Sequence, residues 1–371
     1  MKIGIPREVK DNEFRVSMTP AGVRELVSLG HSVRVERSAG VGSSIDDADY
    51  ARAGATIVAD ADELWGDAEL VCKVKEPIAE EYHRLRPDLV LFTYLHLAAS
   101  RACTDALLQA KTIGIAYETV QLPDGSLPLL APMSEVAGRM APLVGAAHLQ
   151  RPGPGRGVLM SGVPGVRPAR VVVIGAGVSG VNAATIAVGM HADVQILDRD
   201  LAKLRAVDAI YQGRVTTLAS SEHTIEETCL EADLVIGAVL VAGARAPRLV
   251  SDDLVAQMRP GSVLVDIAVD QGGCFQSTRP TTHSDPTFLV HQSVFYCVAN
   301  MPGAVPHTST HALTNATLAY TIAIAQNGWR AAASADAALA AGVNTVDGAL
   351  TCAPVAVAHG LTAVELTEVL A

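Results

Sequence analysis

The run VVVIGAGVSG, Val171 to Gly180, spaces Gly175, Gly177 and Gly180 as G-x-G-x-x-G at the end of an apolar segment. The first glycine permits a tight turn, the second lets backbone approach a pyrophosphate, and the third lets a helix pack on the strand. The alanine-rich run VNAATIAVGM follows, a helix whose partly positive amino terminus would face the phosphates. Asp198 ends the next apolar run, where an acid accepts hydrogen bonds from ribose hydroxyls and repels a 2′-phosphate. NAD is therefore expected over NADP. Arg199 beside it leaves a 2′-phosphate partner available, and Asp198 can equally be a strand-end turn residue.

Four more residues stand where apolar runs end. Arg15 follows KIGIP, Lys75 closes LVCKVK, His96 closes LVLFTYLH and Glu118 closes TIGIAYE. Ligands of parallel sheets sit at the carboxyl ends of strands, so these groups converge on one crevice. Arg and Lys suit a substrate carboxylate, and an imidazole suits proton transfer at a carbonyl or carbinol oxygen. Each has an ordinary alternative: Lys75 paired with Glu76 on the surface, or His96 satisfied in the core. In SVLVDIAVDQGG, Asp266 lies inside the apolar run and reads as structural. Asp270 falls at its end, near the nicotinamide position of such a sheet, or merely caps the turn before Gly272 and Gly273.

The elements that must hold these residues alternate between strand and helix. The first third reads as strands KIGIP, HSVRVE, AELVCKVK, DLVLFTYLH and TIGIAYE. Between the first two lies a helix with Thr19 as N-cap, Pro20 in its first turn and Gly30 as its stop. The Pro/Gly-rich segment 151–169 reads as an irregular connection. Six further strands follow: ARVVVIGAG, ADVQILD, GRVTTLA, ADLVIGAVL, SVLVDIAVD and VFYCVANMPG. The last 65 or so residues read as helical and Ala-rich. This rhythm predicts an α/β fold of two doubly wound parallel sheets, Rossmann-like.

The 371 residues suit two domains, and nearly half are apolar. A net charge of −11 argues against nucleic acid or an anionic membrane as partner. Six scattered cysteines without a C-x-x-C pair read as buried reduced thiols of a cytoplasmic protein. No metal-ligand cluster is visible, and no metal is expected. The charged amino terminus lacks the apolar core of a signal peptide. The uncharged stretch Pro286 to Trp329 is broken by Pro302 and Pro306 and cannot span a bilayer as one helix.

Together the strings GIPREVKDNEFRVSMTP, VCKVKEP, LHLAASR, AYETVQ, LPLLAPMSEVAGR, VVVIGAG, LVIGAVLV, VDIAVDQGGC and YCVANMPGAVPHTSTHALTNAT resemble the alanine dehydrogenase family over nearly the whole chain. The resemblance implies NAD-dependent, reversible oxidative deamination of L-alanine to pyruvate and ammonia. It implies two lobes with a cleft between them: a catalytic domain of residues 1–130 plus 307–371, and an inserted NAD domain of residues 131–306. Arg15 and Lys75 would bind the substrate carboxylate, with His96 the general acid/base and Asp270 orienting water and ammonia. Ser134, Val178, Ser179, Asp198, Lys203 and Ser220 would line the adenosine and phosphate side of NAD. Val239, Leu240, Ile267, Arg279, Val298, Asn300 and Met301 would line the rest. Tyr94, Glu118 and Met133 are further candidates at the substrate edge. Members of the family are hexamers, so a homo-hexamer is expected. A transhydrogenase NAD-binding subunit and a non-catalytic NAD sensor are the alternative readings.

Overall fold

The structure is a computed structural model that describes residues 1–239 and 246–370; Leu240 lies outside the described residues. The chain folds into two compact units. One holds Met1–Met133 and the residues from Gly303 onward, and the other holds the described residues between Ser134 and Pro302.

In the first unit, strands β1 (Lys2–Ile5), β2 (Ser32–Glu36), β3 (Thr56–Val58), β4 (Leu70–Cys72), β5 (Val90–Thr93) and β6 (Ile113–Ala116) run parallel in the order β3-β2-β1-β4-β5-β6. The chain lays strands to one side of β1, then returns to lay β4 on the other. This reversal opens a crevice beyond the carboxyl ends of β1 and β4. The helix Pro20–Ser28 starts as expected: the Thr19 side chain accepts the Gly22 N–H, and Gly30 ends it with φ of 86°.

The second unit repeats the plan. Its strands are β7 (Arg170–Ile174), β8 (Asp193–Asp198), β9 (Val215–Ala219), β10 (Leu234–Gly237), β11 (Val263–Asp266), β12 (Thr287–Val290) and β13 (Ser293–Tyr296), in the order β12-β13-β11-β10-β7-β8-β9. Alternate residues serve opposite faces. Val171, Val173, Val194, Ile196, Leu234 and Ile236 join one core cluster. Val172, Ile174, Leu197, Val235 and Leu264 join the other. Strands covered on both faces have no polar side, hence the unbroken apolar runs. Each such side chain contributes about 1.5–3 kcal/mol on leaving water.

Three features depart from the expected pattern. β3 was not expected, because three residues make too weak a run to stand out from their Ala-rich surroundings. β12 pairs antiparallel with β13 as an edge hairpin. The helical tail contains a hairpin, β14 (Val343–Val346) and β15 (Ala349–Leu350), with β14 antiparallel to β6. Both sheets are therefore mixed rather than wholly parallel. The tail strand exists because β6 presents an open edge, a long-range partner that no local pattern reveals.

Segment 151–169 is irregular but anchored: the Arg156 N–H donates to Gly261 O at 2.9 Å, and the Gly157 N–H to Leu149 O at 2.7 Å. It borders a pocket of about 700 Å³ lined by Arg156, Arg170, Asp193 and Asp233. Those residues start or precede β7, β8 and β10, so this pocket lies at the edge of the sheet opposite its glycine-rich turn.

Candidate active site

In the first unit the β1–β4 crevice is built as the strand order requires. Arg15 follows β1 and is only 2% exposed. Its Nε donates to Glu13 Oε1 at 2.7 Å, its second terminal nitrogen bonds Glu13 Oε2, and its first reaches the Met133 Sδ at 3.0 Å. Burial alone would raise the Glu13 carboxyl. The charge and hydrogen bonds of Arg15, with Lys75 beyond, bring it down to about 2.

Lys75 follows β4 and is buried. Its carbonyl accepts from Thr93 Oγ1 at 3.1 Å, and the preceding residue's N–H, that of Val74, donates to Glu8 Oε1 at 2.6 Å. Glu8 and Glu81 also receive the fully buried Lys73 ammonium at 3.0 and 2.8 Å. Burial would depress the Lys73 ammonium, but the two carboxylates raise it to about 12. Lys73 is thus a buried counter-ion, and Lys75, two residues on, is near enough to Glu13 to help hold its carboxylate down. Glu76 pairs with Lys10, the partner given instead to Lys75 by the surface-pair alternative.

His96 follows β5, half-buried, with its ring stacked on Tyr94 at 5.8 Å and an interplanar angle of 12°. Tyr94 is buried, and its hydroxyl donates to Leu129 O at 2.6 Å. Burial pushes the Tyr94 hydroxyl well above its ordinary value, with Glu118 adding to the rise and Arg15 opposing it. Arg15, Lys75, Tyr94, His96, Glu118 and Met133 therefore form one connected group. Glu13, Glu8, Lys73 and Glu81 were missed by sequence reasoning. An acid two residues before Arg15 and a Lys two before Lys75 were the available signals, but charge pairs this deeply buried are uncommon.

In the second unit the three glycines of the turn do three different things. Gly175 has φ of 110°, where a side chain is strained. A Cβ on Gly180 would lie 1.7 Å from Gly175 O, so the helix Val178–Gly189 can close on the strand only without one. A Cβ on Gly177 would meet nothing within 4 Å among the described residues beyond its chain neighbours. Gly177 is the N-cap of that helix and, having no side chain, gives its first N–H groups no side-chain acceptor. A diphosphate fits such a terminus.

Asp198 ends β8, with Oδ2 accepting the Ala176 N–H at 2.7 Å and Oδ1 the Asp200 N–H at 2.8 Å. It ties the loop to the strand end and keeps lone pairs for a ribose. Val178 is exposed and Ser179 half-buried at the helix start, with Ser220 following β9 and Val239 following β10. Ile267 and Asp270 follow β11, and Val298, Asn300 and Met301 follow β13. Asp270 is exposed on a short turn ended by Gly272 at φ of 97°, and Asn300 has φ of 68°. Asp266 is structural as expected: fully buried, it accepts the N–H groups of Ala268 and Cys274 and the Thr278 hydroxyl.

Several of the expected cofactor residues have other engagements. The Arg279 guanidinium lies over the Phe288 ring at 4.2 Å. Val298 and Met301 are packed in the core, so they offer a ligand backbone rather than side chain. Lys203 is exposed on the helix Leu201–Tyr211, and Ser134 is half-buried in the helix Ala131–His148. All six cysteines are free thiols, and among the described residues no group of His, Cys, Asp and Glu is arranged to hold a metal ion.

Two doubly wound units, one with a nucleotide-type glycine turn and the other with a buried cationic cluster at its strand ends, define an α/β oxidoreductase of the nicotinamide-cofactor class. Comparison with known proteins narrows this. The family model "Alanine dehydrogenase/PNT, N-terminal domain" matches residues 4–137, and "Alanine dehydrogenase/PNT, C-terminal domain" matches residues 141–353. An alanine dehydrogenase of Mycobacterium tuberculosis is 61% identical over 371 residues, covering 100% of both chains. A solved L-alanine dehydrogenase structure superposes with a TM-score of 0.91 at 48% identity, covering 100% of both chains. A solved transhydrogenase from Sinorhizobium meliloti follows at a TM-score of 0.77 and 25% identity, covering 94% of this chain and 98% of its own. The chain belongs to the alanine dehydrogenase/PNT family.

Proposed function

We infer that this chain is an alanine dehydrogenase that interconverts L-alanine with pyruvate and ammonia, using NAD. Identity at the 61% level over the entire length carries the reading. The Arg15, Lys75 and His96 arrangement supports it, because those three groups are what a small oxo acid would need. We assign the catalytic role to residues 1–130 and 307–371 and the NAD-binding role to residues 131–306.

A bound NAD would supply the chemistry of hydride transfer at the alanine Cα. Gly177, Val178 and Ser179 would hold its diphosphate and Asp198 its ribose, whose free hydroxyls favour NAD over NADP. Ser134, Lys203, Ser220, Val239, Leu240, Ile267, Arg279, Val298, Asn300 and Met301 would complete the cofactor site. Arg15 and Lys75 pair with the substrate carboxylate, Arg15 already oriented by Glu13, and so fix the Cα. Such orientation can lower the barrier by about 7–11 kcal/mol. His96 carries the proton to and from the oxygen that is carbonyl in pyruvate and hydroxyl in the carbinolamine. Asp270 orients the water that adds to the iminium and the ammonia that leaves.

The deciding experiment is NADH oxidation by the purified protein with pyruvate, with and without ammonium. Ammonium-dependent oxidation with pyruvate, and little with longer oxo acids, supports the reading. Tight NADH binding without turnover favours a transhydrogenase-like subunit or an NAD sensor. Parallel runs with NADPH test the role given to Asp198. We further propose a homo-hexamer in the cytoplasm. Leu159, Val163 and Val166 are 61%, 54% and 63% exposed, an apolar surface consistent with self-association. Light scattering should return the mass of six chains; the mass of one chain would refute the hexamer. No helix among the described residues is long and apolar enough to cross a membrane.

A further inference from the structure

We propose that Glu118 is a positioning residue that acts through His96, holding the histidine's backbone in place rather than touching substrate. This rests on the reading of His96 as the proton-transfer residue. β5 ends at Thr93, whose partner across the ladder is Ala116. The amides of Leu95 and His96 lie past the last rung and have no ladder partner. Glu118 stands just past the end of β6, level with them. Its Oε1 accepts the His96 N–H at 2.6 Å, and both its oxygens lie 3.2 Å from the Leu95 nitrogen. Hydrogen bonds to an ionised carboxylate are among the stronger ones available to a backbone amide.

The backbone held this way is unusual. His96 has φ of 47° and ψ of 36°, a left-handed conformation that non-glycine residues rarely adopt. Such geometry persists where its surroundings over-determine it. Here Glu118 grips the N–H, and Ala99 donates to the His96 carbonyl at 2.9 Å. Tyr94, itself anchored on Leu129 O, stacks on the ring. With the carboxylate spent on two amides, the structure assigns Glu118 to the histidine and not to the substrate edge.

The test uses Glu118→Gln and Glu118→Ala in the full-length enzyme, each alone and combined with His96→Ala. Pyruvate amination is measured together with NADH affinity by fluorescence titration. We expect kcat to fall about tenfold in the Gln variant and about a hundredfold in the Ala variant, the scale of a small misplacement of a reacting group. The KM for pyruvate and the Kd for NADH should stay within about threefold, and in the His96→Ala background neither change should cost more, because both act on one group. Glu118→Gln keeps an acceptor oxygen and carries the test if the Ala variant does not fold.

A raised KM at unchanged kcat would place Glu118 on the substrate and overturn the proposal. So would full turnover in Glu118→Gln and Glu118→Ala, or a further loss in the His96→Ala background. Retained turnover in His96→Ala alone would instead remove the histidine reading, and the proposal with it. Collapse in His96→Ala with full activity in the Glu118 variants would overturn the proposal only.

Discussion

Glu13 and Arg15 form an ion pair with side chains 0% and 2% exposed, so neither charge is supported by water. Removing one partner of such a pair costs about 3 kcal/mol or more, because the other charge stays buried. Glu13→Gln should therefore lower the urea midpoint and, through a less well-held Arg15, raise the KM for pyruvate. An unchanged midpoint and KM would show that the pair is dispensable. The Glu13 carboxyl falls from an ordinary 4.5 to about 2 in the fold, so the folded state favours its ionised form. The stability it contributes is present above about pH 4.5 and drains away as pH falls toward 2. Urea midpoints across that window should fall more steeply in the parent than in Glu13→Gln. For His96→Ala, turnover should drop roughly 10²–10⁴-fold, the usual worth of a general acid/base, with NADH titration unchanged. Near-parent turnover would exclude it. Arg15, Lys75 and His96 were legible because each follows an apolar run. Glu13 and Glu8 were not, since an acid in a charged segment resembles a solvated loop until its burial is known.

At the scale of elements, the glycine-rich turn gives a contrast that separates folding from binding. Gly180→Ala places a methyl 1.7 Å from Gly175 O, a clash with backbone that must push the helix off the strand. It should lower the melting temperature and abolish NADH binding together. Gly177→Ala meets no atom of the described residues within 4 Å beyond its chain neighbours, and its negative φ suits any residue. That variant should melt like the parent while its NADH Kd rises tenfold or more, since the methyl enters the space left for a diphosphate. Equal NADH affinity in Gly177→Ala would mean that the cofactor does not approach there. The helix Pro20–Ser28 was readable down to its cap because capping is a local interaction. β12, β14 and β15 were not, because four residues such as Val343–Val346 become a strand only when an edge is offered to them.

For the whole molecule, ligand binding and stability are linked. NADH at about a hundred times its Kd should stabilise the folded chain by about 2.7 kcal/mol, seen as a rise in the melting temperature that grows with the logarithm of concentration. NADPH should give less if Asp198 selects the ribose hydroxyls, and an equal rise would remove that role. The two units share the strand order 3-2-1-4-5, and in each the order reverses between the first and fourth strands. The alternation of short apolar runs with helical patterns determined the α/β class, the two sheets and the strand ends on which Arg15, Lys75, His96 and Asp198 stand, because such patterns are written in near-neighbour spacing. Only the tertiary structure decided which charges were buried together. The Lys73 ammonium between Glu8 and Glu81 and the grip of Glu118 on the His96 amide depend on strands brought side by side, and the local Glu13–Arg15 pair owes its burial to the fold around it. The desolvation that makes those contacts consequential exists only once the sheet is formed.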